Sequence, residues 1–294
     1  MLTQHWTQSS GNYSKQRNMI THNLGKAYYE ITASPEDWEA PVSKSLLWDF
    51  FKSPYRFVHS KAKVATPAMN FGSLVHCAML TPELLGKEFV VSPFPDYRTK
   101  AAQEWKAESI KLGNVIVSQE DLDKANDISD VVHACVEFPI EYDTEVAVFG
   151  GIDGVQAKGM IDIVPKAGST LYDLKTISKI ESLYDLQRKI LDYGYHWQAA
   201  LYLDLWNAAS GESRTEFVFI FVETSAPYET AFIRLSPEFI ELGRHGYSFG
   251  GRKKHHGYMD AVEKWKRCVS ESSFPKQISG IQTVYPPSWV SNEP

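Results

Sequence analysis

Residues 159–176, GMIDIVPKAGSTLYDLKT, read as two apolar runs joined by a turn, and each run carries an aspartate. Asp162 lies within residues 160–164 and Asp173 within residues 171–175. A carboxylate in apolar surroundings costs several kcal/mol unless a partner compensates it. If the PKAG turn (165–168) pairs Val164 with Ser169, Asp162 falls opposite Leu171 and Met160 opposite Asp173. Side chains alternate with period two along a strand, so Asp162, Asp173 and Lys175 then share one face. The two aspartates become diagonal neighbours about 7–8 Å apart at Cα, close enough for their carboxylates to close on one cation.

The same reading of the GIDG turn (151–154), with Gly150 opposite Val155, places Glu145 opposite Met160 and on that face. Like charges this close repel strongly unless a cation lies among them. Carboxylate oxygens, with a backbone carbonyl and waters, suit Mg²⁺ rather than zinc, and Mn²⁺ could substitute. Such an ion polarises a phosphoryl oxygen and acidifies a bound water, which Lys175 could orient. That is the chemistry of phosphodiester hydrolysis. The spacing D-x₁₀-D-x-K equally describes exposed residues making cross-strand pairs of little consequence.

Tyr195, Gln198 and Tyr202 recur at i, i+3 and i+7 on one helical face. They suit contacts to phosphates or base edges, or a partly buried helix interface. His76, inside the apolar FGSLVHCAML (71–80), reads either as a satisfied core histidine or as a metal ligand. Basic clusters at 52–63, 96–108 and 251–258 contain Arg56, Arg98, Lys100, Arg252, Lys253 and Lys254. They are candidates for DNA phosphate contacts, or simply solvated surface.

The 294 residues are 43% hydrophobic and 22% charged with a net charge of −6, as in an ordinary soluble protein. No run reaches the ~18 apolar residues of a membrane span, and the N-terminus lacks the apolar centre of a signal peptide, so a cytoplasmic location is expected. Three scattered cysteines make neither a disulfide framework nor an iron–sulfur site. Ser43 caps an expected helix that breaks at Ser53-Pro54, and residues 98–135 look helical with a break at KLGNVIVS. Strands at 144–150, 155–164 and 169–176 precede a long helical stretch (180–210) with Gly194 near its middle. Two further strands (215–223 and 229–236) and a helical stretch from Pro237 to about Ser270 follow. The order indicates a mixed α/β (α+β) fold around one central sheet. One domain is expected over 1–294, with an N-terminal extension (1–40), a core (70–235) and a Pro-rich tail (271–294).

Taken together, SKSLLWDFFKSPYRF (43–57), His76 in its helix, GMIDIV, DLKT, YHWQAALY (195–202) and YPPSW (285–289) resemble the PD-(D/E)XK nuclease superfamily. Within it they look most like the exonuclease VIII branch of phage and prophage recombination nucleases. The resemblance implies a restriction-endonuclease-like α-β-β-β-α-β core, a central mixed sheet flanked by helices. It implies that His76, Asp162, Asp173 and the Leu174 carbonyl ligate the metal, with Glu145 a further candidate. Lys175 would serve the attacking water, with Gln198 and Tyr202 beside the site. The implied activity is processive 5′→3′ degradation of one strand of linear double-stranded DNA, leaving 3′ single-stranded tails for an annealing recombinase. Ring-shaped homo-oligomers and a bacterial host cytoplasm come with it.

Aspartate fills the third acidic position here, giving Asp-x-Lys in place of Glu-x-Lys. Related iron–sulfur nucleases need four cysteines, which this chain lacks. An endonuclease, or a nuclease module serving a separate helicase, uses the same residues; no G-x-x-x-x-G-K-[ST] motor motif is present. A non-catalytic DNA-binding protein would not need Asp162, Asp173, Lys175 and Gln198 together. A zinc hydrolase on His255 and His256 is disfavoured because adjacent histidines point apart.

Overall fold

The computed structural model describes residues 18–22, 24, 25, 27–60 and 65–286. β1 (Met19–Thr21), α1 (Ala27–Glu30) and β2 (Val42–Ser43) come first. Ser43 caps α2 (Lys44–Lys52) by accepting from the Leu46 amide, and Ser53 caps α3 (Pro54–His59) in the same way. Proline in the first turn of α3 breaks the two helices apart as expected. The apolar α4 (Pro67–Leu80) is buried over most of its last two turns. β3 (Phe89–Val91), α5 (Lys100–Lys111), β4 (Val115–Val117) and α6 (Gln119–His133) follow, so the break expected at KLGNVIVS is filled by a strand parallel to β3.

The meander consists of β5 (Tyr142–Ile152), β6 (Val155–Pro165) and β7 (Thr170–Ile177). α7 (Leu183–Asp192) and α8 (Tyr195–Ser210) then cross over to β8 (Glu216–Glu223), which lies parallel to β7, and β9 (Thr230–Arg234) closes that edge. α9 (Pro237–His245), β10 (Tyr247–Phe249), β11 (Arg252–His255) and α10 (Tyr258–Ser270) complete the described elements. The sheet runs β1-β5-β6-β7-β8-β9, with β2 joined to β6. Thus the expected N-terminal extension supplies an edge strand of the sheet.

Helices cover both faces. On one side Leu47 and Phe50 of α2, Trp197 and Leu201 of α8 and Trp265 of α10 pack on Phe217, Phe219 and Phe221. On the other, Leu74 of α4 and Ile128 of α6 pack on Ile220 and Val222. A strand covered on both faces needs the unbroken apolar run seen in β8.

Three expectations are corrected. The single long helix is two, because Gly194 takes a left-handed φ of 65° between α7 and α8. The helix expected from Pro237 to about Ser270 is interrupted by the β10–β11 hairpin, which turns at Gly250-Gly251. Both hairpins of the meander are shifted by two in register. Ile152 pairs with Val155 across an Asp153-Gly154 turn, both residues left-handed, so β5 runs through the stretch read as a turn. β6 and β7 register at Ile163 with Tyr172, placing the second turn one residue later than PKAG.

Gly194 is also a close-approach point, since a Cβ there would lie 2.6 Å from the Trp48 ring. Gly194→Ala is expected to destabilise the fold by about 2–4 kcal/mol, from overpacking plus left-handed strain, read as a lower urea midpoint.

Candidate active site

The ladder between β5 and β6 holds at Thr144–Ile163 and at Val146–Ile161 but lapses between them, at Glu145 and Asp162. Glu145 sits at φ 46°, a left-handed conformation that strains a non-glycine residue. The apolar phase changes at the same place. Ile161 packs beneath α2 and α8, whereas Ile163 packs against the α4 side. The sheet therefore twists over at these two acids, and no single flat face carries the whole set as alternation alone had implied.

One step along from the Ile163–Tyr172 pair, Asp162 comes level with Asp173. Leu174 donates its N–H to Asp162 Oδ2 at 2.7 Å, so a side chain takes the place of a ladder bond. His76 reaches the same residue from α4, its Nε2 3.1 Å from the Leu174 carbonyl and its Nδ1 3.6 Å from Asp162 Oδ2. Both backbone polar groups of Leu174 are thus held by side chains.

Asp173 is only 2% exposed. Gln198 of α8 donates to its Oδ2, and the Lys175 ammonium faces its Oδ1. The Tyr195 ring, one helical turn before Gln198, lies 4.9 Å from Lys175 Nζ. Burial, then the Asp162 charge, push the Asp173 carboxyl up to about 6 against the opposing pull of Lys175. Burial pulls Lys175 down, but Asp173 and Asp162 outweigh it and raise the ammonium to about 12. Burial and Asp162 also raise Glu145, opposed by His76.

This geometry makes apo stability depend on pH. The folded Asp173 keeps a proton that the unfolded chain releases above about 3.8, so its contribution is complete below that pH and disappears as pH rises through about 6. The contribution lost between pH 4 and 7 is at most about 3 kcal/mol. Urea unfolding in EDTA should show a decline over this window that is shallower in Asp173→Asn, where only the raised Glu145 still contributes; equal slopes would contradict the assignment.

Among the described residues no three His, Cys, Asp or Glu side chains are gathered around a common point. The donors nevertheless fit a hard divalent ion in kind, since two carboxylates are joined by a backbone carbonyl and an imidazole. Asp173 Oδ1 is buried and makes no hydrogen bond of good geometry, even to the Lys175 ammonium it faces. The 3.1 Å between His76 Nε2 and the Leu174 carbonyl also matches a ligand–ligand edge of roughly 3 Å in an octahedron with bonds of about 2.1 Å.

The remaining candidates separate. Tyr202 is buried at 8% exposure with its ring on Gly159, which gives it a packing place under the sheet in place of the expected DNA-facing one. Arg98 pairs with Asp96 at 3.5 Å and Lys100 with Glu104 at 3.6 Å. Lys253 pairs with Asp260 at 3.1 Å and donates to the His245 carbonyl. Arg56, Arg252 and Lys254 are exposed. His256 lies 3.4 Å from Asp260 and against the Phe51 ring, and among the described residues it belongs to no group of three potential metal ligands. In the YPPSW stretch, residues 287–289 lie outside the described residues.

Sequence reasoning passed over Lys44. It is 7% exposed, donates to the Tyr193 carbonyl and lies 5.4 Å from the Tyr195 ring. Its signal was a lysine in the first turn of a helix, where the macrodipole disfavours a cation.

A family model described as a PDDEXK-like domain of unknown function (DUF3799) matches residues 43–277. Among solved structures, one described as "Putative exonuclease", from Eubacterium rectale, superposes with a TM-score of 0.53 at 14% identity, covering 85% of each chain. The structure of SSO0001 covers 70% of this chain and 96% of its own at 15% identity, with a TM-score of 0.29. No curated protein matches. The first likeness supports the fold, a mixed sheet flanked by helices. Among the described residues no helix is long and apolar enough to cross a membrane.

Proposed function

Because this chain belongs to the PDDEXK-like family DUF3799, whose model spans residues 43–277, we propose that it is a divalent-metal-dependent nuclease, an exonuclease acting on linear duplex DNA. The observation carrying this reading is the meeting of Asp162 and Asp173 at the break in the sheet, with Lys175 on Asp173 and His76 on Leu174. Three separate elements deliver these groups to one place. An exposed cross-strand pair would need neither the burial nor the distortion.

Asp162, Asp173, the Leu174 carbonyl and His76 would hold the ion, Mg²⁺ or Mn²⁺, with Glu145 as a further oxygen donor. A bound ion would polarise the phosphoryl oxygen and acidify a water. Gln198 holds Asp173 Oδ2 and so fixes the direction of the other oxygen. Lys175, high in pKa and therefore protonated, acts as a cation: it orients the water and meets developing negative charge, and it does not remove a proton. The Tyr195 ring braces its ammonium.

The Eubacterium rectale protein's name accords with an exonuclease and goes no further; 5′→3′ polarity and 3′ tails passed to an annealing recombinase are what the motifs resembling the exonuclease VIII branch imply. The same resemblance implies a ring homo-oligomer in a bacterial cytoplasm. Such a ring needs basic side chains only along its channel, which accommodates a net charge of −6.

The test is digestion of linear duplex DNA labelled separately at each end, with Mg²⁺ or EDTA, beside closed circular DNA. Metal-dependent release of the 5′ label with circles spared is the expected result. Cut circles would make the protein an endonuclease. Intact substrates throughout would overturn the enzymatic reading.

A further inference from the structure

Lys44, Trp48 and Lys52 recur every four residues along one face of α2. Their contacts form a continuous row starting at the acidic site. Lys175 and Lys44 approach the same Tyr195 ring, at 4.9 and 5.4 Å from its centroid. Lys44 is 5.5 Å and Lys52 4.4 Å from the Trp48 ring. The row ends in a cavity of about 250 Å³ whose lining includes Trp48, Phe51, Lys52, Trp197, Lys254 and His256. Among the described residues no carboxylate lines it. The walls are aromatic and the rim is basic, in a chain whose net charge is −6.

Lys44 strengthens the case. It is 7% exposed, and among the described residues its hydrogen-bond partner is a carbonyl, not a carboxylate. The Asp173 and Asp49 charges offset only part of the cost of burying this ammonium, and an incoming anion would relieve more of it. Burial, then the neighbouring Lys175, push its pKa down to about 7, so it sits where a phosphate could hold it charged.

We propose that this row and cavity are the track of a single nucleic-acid strand leaving the acidic site, and that the cavity receives one unpaired base. The proposal rests on the nuclease reading for the identity of the strand. Alternating cations and aromatic rings are what single strands require: amines meet successive phosphates while ring faces stack on bases of any identity. Lys52 and Lys254 meet the phosphates on either side of the base, and Trp48 and Phe51 offer it their rings.

The test is fluorescence anisotropy of 5′-fluorescein-labelled dT₈ titrated with the full chain in EDTA, where metal-dependent cleavage cannot proceed. Wild type is compared with the double variant Lys52→Ala/Lys254→Ala. Both lysines are exposed, and an unchanged melting temperature verifies that the variant folds. The variant is expected to bind dT₈ at least about tenfold more weakly, with a salt slope shallower by about 1.4, or 0.7 for each lost phosphate contact. Phe51→Leu should weaken binding at an unchanged salt slope, because stacking is lost and charge is not. Equal affinity of wild type and the double variant, or no binding of dT₈ by wild type, would overturn the track. Duplex cleavage with unaltered dT₈ affinity in the variant refutes the track alone. Lysine-dependent dT₈ binding by a protein that never cleaves refutes the nuclease reading alone.

Discussion

Replacing Lys175 with methionine is expected to slow cleavage of linear duplex DNA by about 10²–10⁴-fold, the range for losing one positioned charge at a reacting centre. The physical reason lies in the pairing with Asp173. In the metal-free protein the ammonium is the cation that compensates a carboxylate 2% exposed. A divalent ion at Asp173 would release Lys175 toward the water and the phosphate. The variant should therefore lose turnover while still binding metal, because both carboxylates remain and a competing cation has gone. Without metal it leaves Asp173 beside Asp162 with no ammonium, so the Asp173 proton is held still more tightly and the decline of apo stability with pH steepens. Lys175→Arg should restore the charge but little of the rate, since a planar guanidinium cannot reproduce the compact ammonium. Single-turnover cleavage, with Mn²⁺ binding measured separately, checks both halves. Full activity in the methionine variant would remove Lys175 from the chemistry.

Asp162→Asn should separate stability from function. The asparagine oxygen can still accept the Leu174 N–H that Asp162 takes at 2.7 Å, so the local backbone is kept. What goes is a negative charge facing Asp173 and Glu145, both of which it raises. In EDTA near pH 7.5 the variant is expected to be more stable than wild type by about 1–2 kcal/mol, an increase of a few degrees in melting temperature. Cleavage should fall by about 10³-fold or more, and stabilisation by divalent ions should vanish. Gaining stability while losing activity is what a site assembled against its own electrostatic preference gives when it is relaxed. A destabilised variant that still cleaves would show Asp162 to be a structural residue.

The meander was legible because its apolar runs are long and its turns carry Gly and Asp. The mixed sheet, the Ser43 and Ser53 caps and the buried α4 follow from equally local signals. Register was not legible to the same degree. An Asp-Gly pair forms a two-residue turn, and reading four residues of GIDG as loop shortens the strand and slips every pairing by two. An even slip preserves the faces, and Asp173 and Lys175, two apart on one strand, share a side in any register.

The phase change at Asp162 could not be read, because alternation presumes a regular strand. Only the packing of Ile161 and Ile163 into opposite cores reveals the twist. The left-handed Glu145 is likewise imposed by tertiary structure, for nothing in its own propensity calls for it. Gly194 looked tolerable inside a helix, and its meaning appears only when Trp48 is seen against it. Lys44 escaped notice because its partners, Tyr193 and Tyr195, lie about 150 residues away in the chain.

The most direct test of the site is calorimetric titration of Mn²⁺ into the metal-free chain at pH 7.5 and pH 5, for wild type and Asp162→Asn. Wild type is expected to bind at pH 7.5, where Asp173 is already ionised, and to bind far more weakly and with proton release at pH 5, where Asp173 holds its proton; the variant should not bind at either pH. Absence of binding by wild type at pH 7.5, or equal binding by the variant, would contradict the assignment of these acids to a metal.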